Sequence, residues 1–458
     1  MANSEIHYNT PIKEVNSFKN IFEQGSFYGR LRTNNFYYFY KKEDKKRQNH
    51  FLSGIGGNFV FRSASLNGVS FTTGLYATHA FFNESTLNSV GNLKSAKDAF
   101  DRVAYANGGS QGLYTFGQAN VNYKYQKTNF TLGRQLIESF YAKSNDSKMI
   151  PNSFDGLAIS SKALPQTTLK LAYFVQQKLR HHKNAHSVLM YGDENSNRTI
   201  NQPNWDANDD SAMHRGITFS SLKAHNKPTH APLMVFDLKN KSIKNLKVNI
   251  ASYHIPELLT HLMGEAYYRF NFENFSIASG FRYLQQFDNG AGKVAGASLS
   301  TKGLDGYKNP NSLDSKLIAT RIVTRFKDYK INLAYTHILD EADLVTPWRA
   351  FPTSGYTRSM GIYNWKANTK SYRIELVKNK SKIGDYETPF IQTSILYIDG
   401  DIKKADTKSM YYYFAILQNI PSLPALQYKF RLGFRDFIGD SSSVSDYVDT
   451  RLEFNYLF

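Results

Sequence analysis

A chain of 458 residues without a single cysteine can hold neither a disulfide nor a thiolate metal centre. Its formal charge of +18 admits nucleic acid, an anionic surface or anionic solutes as partners. Lys and Arg are spread singly along the whole chain instead of clustering on one module, which excludes nucleic acid as the leading reading. No apolar run reaches about eighteen residues, so no helix can cross a bilayer. Mean hydropathy is negative although 15% of residues are aromatic, the mixture expected of strands with one face in lipid and one in water.

Residues 1–25 read as a polar arm with a weak helical pattern at 15–22. After Met1 the chain stays polar through Lys13, with no apolar stretch of the kind a signal peptide carries; a mature exported chain begins in this way, and so does a cytosolic one. The first strong strand is 26–41, with Arg30, Arg32 and Asn34 on one face and Gly29, Leu31 and Thr33 on the other. Residues 41–48 (KKEDKKRQ) form a loop. Strand 52–63 sets Ile55, Phe59 and Phe61 against Asn58 and Arg62, and its GIGG at 54–57 suits close backbone approach better than nucleotide binding. A short turn leads to strand 69–81, a polar excursion of 83–112 to strand 113–125, and a tight turn at 126–129 to the next strand. Connections alternate long and short, as they do in outer-membrane barrels.

Between Phe130 and Ser160 two short alternating runs flank about twenty polar and aromatic residues without a period, a length that asks for a function. In a barrel this is the candidate for a loop folded into the lumen. We assign 136–153 as a constriction loop, with Ser144, Asn145, Asp146, Lys148 and Ser153 as its polar contacts.

A turn at 162–166 precedes strand 167–178, where Leu169, Leu171, Tyr173 and Val175 point outward and Lys170, Ala172, Phe174, Gln176 and Lys178 inward. The longest external loop, 180–230, contains His181, His182, His186, His214, His225 and His230. Histidines on an exposed, charged loop rarely hold a metal, and none is assigned. Strands follow at 233–238, 246–252, 262–270, 275–284, 316–326, 330–337, 360–377, 390–397, 410–417, 428–437 and 447–458. The sum is a single all-β domain over 1–458, a transmembrane antiparallel β-barrel of about eighteen strands, each long enough to cross a bilayer at a tilt. In the last strand Val448, Thr450, Leu452, Phe454, Tyr456 and Phe458 separate cleanly from Asp449, Arg451, Glu453 and Asn455.

Sorting every strand in this way gives a set of lumen cations: Arg30, Arg32, Arg321, Arg325, Arg373, Lys429, Arg431, Arg435 and Arg451. Residues two apart lie about 6.6 Å apart on one face, so a carboxylate could step from one guanidinium to the next. The competing reading is that these arginines pair with Glu265, Glu375, Asp449 or Glu453 and stiffen the wall. There is no HExxH, GxSxG or P-loop pattern, so no catalytic residue and no cofactor are assigned.

Gly133–Gln135 (GRQ) followed by D-x-K-x-x-P-x-x-F-x-G at 146–156 resembles the third-loop region of the OprD-type porins, the carboxylate channels of Gram-negative outer membranes. YHIPELLTHLMGEAYYRF (253–270) is similar to that family's short-loop hairpin, ADLVTPWRAFPTSGY (342–356) to its seventh loop, and 12–32 to its approach to the first strand. Lys148 stands where the family has Arg. The resemblance implies a monomeric outer-membrane channel embedded in lipid, with a basic ladder along its lumen and Trp348, Arg349 and Tyr356 facing the pore from the opposite loop. The expected function is passive diffusion of small water-soluble solutes, biased to anions or carboxylates. The alternatives are a surface adhesin or ligand-binding barrel working through its long loops, and a barrel enzyme.

Overall fold

A computed structural model describes residues 12–458 apart from 87–88, 147, 190–212, 384–385 and 440–443. Strict period-two alternation makes each strand two-faced, and eighteen such strands close on themselves among the described residues. In chain order they are β1 (Ser26–Tyr40), β2 (His50–Arg62), β3 (Val69–Asn83), β4 (Gly112–Tyr125), β5 (Thr128–Gln135) and β6 (Ser153–Ser161). Next come β7 (Thr167–Lys178), β8 (Leu233–Asn240), β9 (Leu246–Ile255), β10 (Leu259–Asn271), β11 (Phe275–Asp288) and β12 (Ser315–Phe326). The last are β13 (Tyr329–Ile338), β14 (Lys370–Lys378), β15 (Phe390–Asp399), β16 (Ser409–Ile420), β17 (Leu423–Phe437) and β18 (Tyr447–Leu457). Each pairs antiparallel with its neighbours, and β1 closes on β18 from Arg30↔Leu457 to Tyr40↔Tyr447. Closure removes the exposed edges that an open sheet would present to lipid.

Burial follows the alternation. Leu31, Ile55, Phe59, Val121, Leu132, Ile322, Leu333 and Ile374 are exposed on the outer face, whereas Arg30, Arg32, Asn34, Asn58, Arg282, Glu265 and Arg373 are buried on the inner one. In water that arrangement would be inverted; in a bilayer the apolar outer face meets its own solvent. At the seam, Gly29 and Phe458 exchange backbone hydrogen bonds of 2.9 and 3.1 Å, and any Cβ at Gly29 would collide with the Phe458 ring.

One end of the barrel has short turns (126–127, 162–166, 272–274, 327–328, 421–422), and the other carries the long loops 84–111, 136–152, 179–232, 289–314 and 339–369. The connection 256–258, in the hairpin noted from the sequence, is short yet lies at the long-loop end. At the short-turn end Glu14–Val15 pairs in parallel with Ser65–Leu66, and the arm's helical pattern is a short helix, Phe18–Glu23, capped by Ser17.

Two sequence expectations are corrected. The strand expected over 360–377 begins only at Lys370, because Ile362, Asn364 and Trp365 are buried within the preceding loop. Asn364 accepts from Thr353 Oγ1 at 2.8 Å and donates to Thr357 and Ser371 at 2.8 and 3.1 Å, bonds that a straight strand could not make. In β7 the register with β6 slips between Asp155 and Gly156, leaving Val175 as a bulge. Gln176 therefore faces outward and is exposed, and Gln177 takes the inward position.

The long loops have a core of their own. Tyr141, Tyr253, Leu344, Val345, Trp348 and Trp365 belong to one buried cluster that also holds inward residues of the wall such as Leu284, Leu317 and Ile338. The described part of loop 179–232 joins it through Met213, Ile217 and Leu222. His214 fixes this return. Its Nε2–H donates to Gly296 O at 2.7 Å and its Nδ1 accepts from Gly216 N at 3.0 Å, so only the neutral ring satisfies both. Burial pushes its pKa down to about 4 from 6.5, against the opposing bond to Gly296. Between those values the unfolded chain binds more protons, so stability rises with pH. The contribution is complete above pH 6.5 and is lost as pH falls toward 4. Limited proteolysis across this range should find the 213–217 segment increasingly cut on acidification, and His214→Phe should remove the pH dependence.

The candidate solute pathway

Loop 136–152 crosses the lumen and is anchored at both walls. Near its start, Ile137 N donates to Ser144 Oγ at 2.8 Å and Ser139 N to Ala142 O at 2.8 Å, knotting the loop on itself. Phe140 N donates to Asp237 Oδ2 at 2.8 Å on the β8 wall, and the buried Tyr141 ring sits 5.0 Å from Tyr253 and 5.5 Å from His261. Asn145 then turns the chain with φ 55°. This carries Asp146 to the opposite wall, where its Oδ1 accepts from Arg30 Nη2 at 3.0 Å. Arg32 bonds the carbonyl of Lys148 and the side chain of Asn455. Met149 N donates to Asp98 Oδ2, on loop 84–111, at 3.2 Å.

Loop 339–369 meets it from the other side. Lys143 N donates to Trp348 O at 2.9 Å, and Ala142 forms a bridge with Arg349, whose φ is 61°. Trp348 is wholly buried: its Nε1–H donates to Val188 O at 2.9 Å and its ring stands edge-on to Tyr253 at 4.8 Å. It joins loop to loop. Tyr356, also buried, offers its ring to Arg282 at 4.5 Å and Arg321 at 5.0 Å. Two of the polar contacts expected on the constriction loop are buried with their hydroxyls engaged. Ser153 is the first residue of β6, fully buried, and donates to Gly117 O at 2.6 Å; Ser144 is spent inside the loop. Asn145, Asp146 and Lys148 are half-buried.

All nine expected cations lie on the inward face. Register places Arg431 opposite Arg451, Lys429 opposite Glu453, Arg435 opposite Tyr447, and Arg321 beside Ala334, which in turn faces Arg373. Their partners divide them. Arg451 binds Asp449 through two bonds of 2.9 and 2.6 Å, Arg30 binds Asp146, Arg373 pairs with Glu375, and Arg431 with Glu453. Among the described residues Arg321, Arg325 and Arg435 make no ion pair. Arg321 donates to Gly355 O and lies 4.3 Å over Tyr267, while Arg435 donates to Ser409 Oγ at 3.1 Å. Pairing and unpaired cations thus coexist on one wall.

The model of the OprD family of outer membrane porins matches residues 34–225. Over that stretch the chain is similar to the OprD-type outer-membrane porins, and the whole barrel has their fold. It forms a channel for small solutes in the bacterial outer membrane. Solved structures share its fold end to end. Pseudomonas aeruginosa OccK8 (OprE) has 13% identity and a TM-score of 0.70, with 96% of this chain and 99% of that one covered. For Acinetobacter baumannii OccAB1 the values are 12% and 0.72, with 96% and 98% covered. For P. aeruginosa OpdK with vanillate they are 11% and 0.68, with 94% and 98% covered. No curated protein matches the chain by sequence.

The porin's lumen has further charged groups that sequence reading left out. Arg282, buried, bonds Glu265 and also donates to Pro352 O and Ser354 O at 2.6 and 3.0 Å, fastening loop 339–369 to β11. Lys239, Lys247, Arg269 and Lys330 share inward registers, and Lys330 reaches Glu375 at 3.2 Å. The parity that revealed Arg321 also holds for Arg282, but its inward neighbours Ala278 and Gly280 are small and mute the alternation. Among the described residues no three side chains of His, Asp or Glu converge as a metal site, although His182 Nδ1 and His186 Nε2 approach to 3.2 Å.

Proposed function

We propose that this porin passes small anionic solutes, chiefly those bearing carboxylates, by passive diffusion along its basic wall. The observation that supports the reading is the inward register of Arg321, Arg325 and Arg435, which have no carboxylate partner among the described residues, beside cations that are already paired. Loop 136–152 limits the width, and the guanidiniums lower the barrier for a negative group that must shed water to pass. Binding at each step stays weak, since a site that holds its solute stops conduction. Bidentate geometry favours a carboxylate over a spherical anion.

Reversal potentials in planar bilayers under a salt gradient test this. The wild type should prefer anions, and Arg321→Ala with Arg325→Ala should reduce the preference severalfold. These positions are chosen because their removal orphans no buried acid. Vanillate, present in the OpdK structure, is the first carboxylate to try as a current blocker. Cation preference in the wild type would overturn the proposal while leaving the barrel intact.

A further inference from the structure

The lipid-facing side of β11–β16 is not smooth: a cavity of about 680 Å³ opens on it. Register resolves the surface there into rows. Thr320, Tyr335, Tyr372 and Tyr397 pair across successive strands, with ring centroids 4.9 Å apart for Tyr335–Tyr372 and 6.2 Å for Tyr372–Tyr397. The row toward the short-turn end is aliphatic, Ile322, Leu333 and Ile374. The row toward the long-loop end is polar: His337 opposite Lys370, and Lys370 opposite Asp399. Asp399 is already neutralised by Lys408 at 3.1 Å. Lys370 makes no ion pair among the described residues, and His337 Nε2, shut off from solvent, has no hydrogen-bond partner.

From loops to turns the surface therefore reads cation, phenol, aliphatic, over about 13 Å of strand. Small Thr320 and Ser279 leave a hollow among the rings. A fluid annulus of lipid needs no such hollow and no unpaired ammonium above it. We propose that this groove binds one phosphorylated, multiply acylated lipid of the outer leaflet, with its phosphate on Lys370 beside His337 and an acyl chain in the hollow against Tyr372 and Ile374. The long-loop end is the external side of such barrels, so the head lies outward. The site is independent of solute selectivity.

Native mass spectrometry of the full-length porin in detergent, titrated with diphosphoryl lipid A, tests the proposal. One molecule should be retained in preference to phosphatidylethanolamine. Lys370→Glu should weaken retention about tenfold, the loss of one charge-assisted contact. Thr320→Trp should do the same by filling the hollow, and dephosphorylated lipid A should no longer distinguish Lys370→Glu from wild type. Both substitutions face lipid, and unchanged single-channel conductance would establish that the variants are folded. Equal retention of lipid A and phosphatidylethanolamine, or indifference to either substitution, would overturn it.

Discussion

Arg282→Met should destabilise the porin by about 3–5 kcal/mol, because it leaves a buried carboxylate without its cation. Glu265 would keep hydrogen bonds from Asn249 Nδ2, at 2.6 Å, and Tyr267 but no guanidinium, while the carbonyls of Pro352 and Ser354 would lose their donor. The same guanidinium also lies 4.8 Å over Phe140 and 4.5 Å over Tyr356, so one side chain holds loops 136–152 and 339–369 against the wall. Urea unfolding in lipid vesicles measures the loss, and bilayer recordings should show a noisier open current. Adding Glu265→Gln should recover most of the stability, since the neutral amide is less costly to bury. It should not quieten the current. That split separates the electrostatic role of the pair from its mechanical one.

Asp98→Asn should act on the other side of the same loop. Burial alone would raise the Asp98 pKa, but Lys148 and Arg180 more than reverse this and hold the carboxyl well below its usual range. For Lys148 burial dominates and pushes the ammonium well down, Asp98 opposing it while Arg451, Arg180 and Arg431 add to the fall. With Asn at position 98, Lys148 faces a cationic surround and its pKa drops further. Between the folded value and 10.5 the unfolded chain binds more protons, so stability rises with pH. The variant should therefore be less stable than the wild type, by about 1–3 kcal/mol where Lys148 is charged, and approach it as pH rises toward the ordinary lysine range. A loss independent of pH would show that the Met149 N–H bond to Asp98, and not Lys148, carries the effect.

The wall of this porin is legible in its sequence because a one-residue slip would move every side chain to the wrong solvent. That constraint sorted Arg431 from Leu432 and Glu453 from Phe454 before any coordinates. It failed at Val175, where a bulge resets the parity, and at 360–369, where the loop core is built from Met360, Ile362 and Trp365, the same residue types that make strands. Trp348 and Tyr356 lie on loop 339–369, but nothing in a single sequence tells what a loop folds onto. Ion pairing was illegible for a related reason. Whether Arg451 meets Asp449 on its own strand or Glu453 further along depends on rotamers and on the Arg431 opposite, not on alternation.

The buried cluster around Trp348, Trp365 and Tyr141 makes the inner loops a small folded body seated inside a cylinder. The cylinder is held by a closed circuit of backbone bonds in lipid, the inner body by side-chain packing and a few polar clasps facing water. Their melting need not coincide, since packing with fewer cooperative partners opens first. Heating the protein should then pass through a state with the cylinder intact and its obstruction undone, a wide, unselective hole. Permeability, not strand content, is the property that fails first.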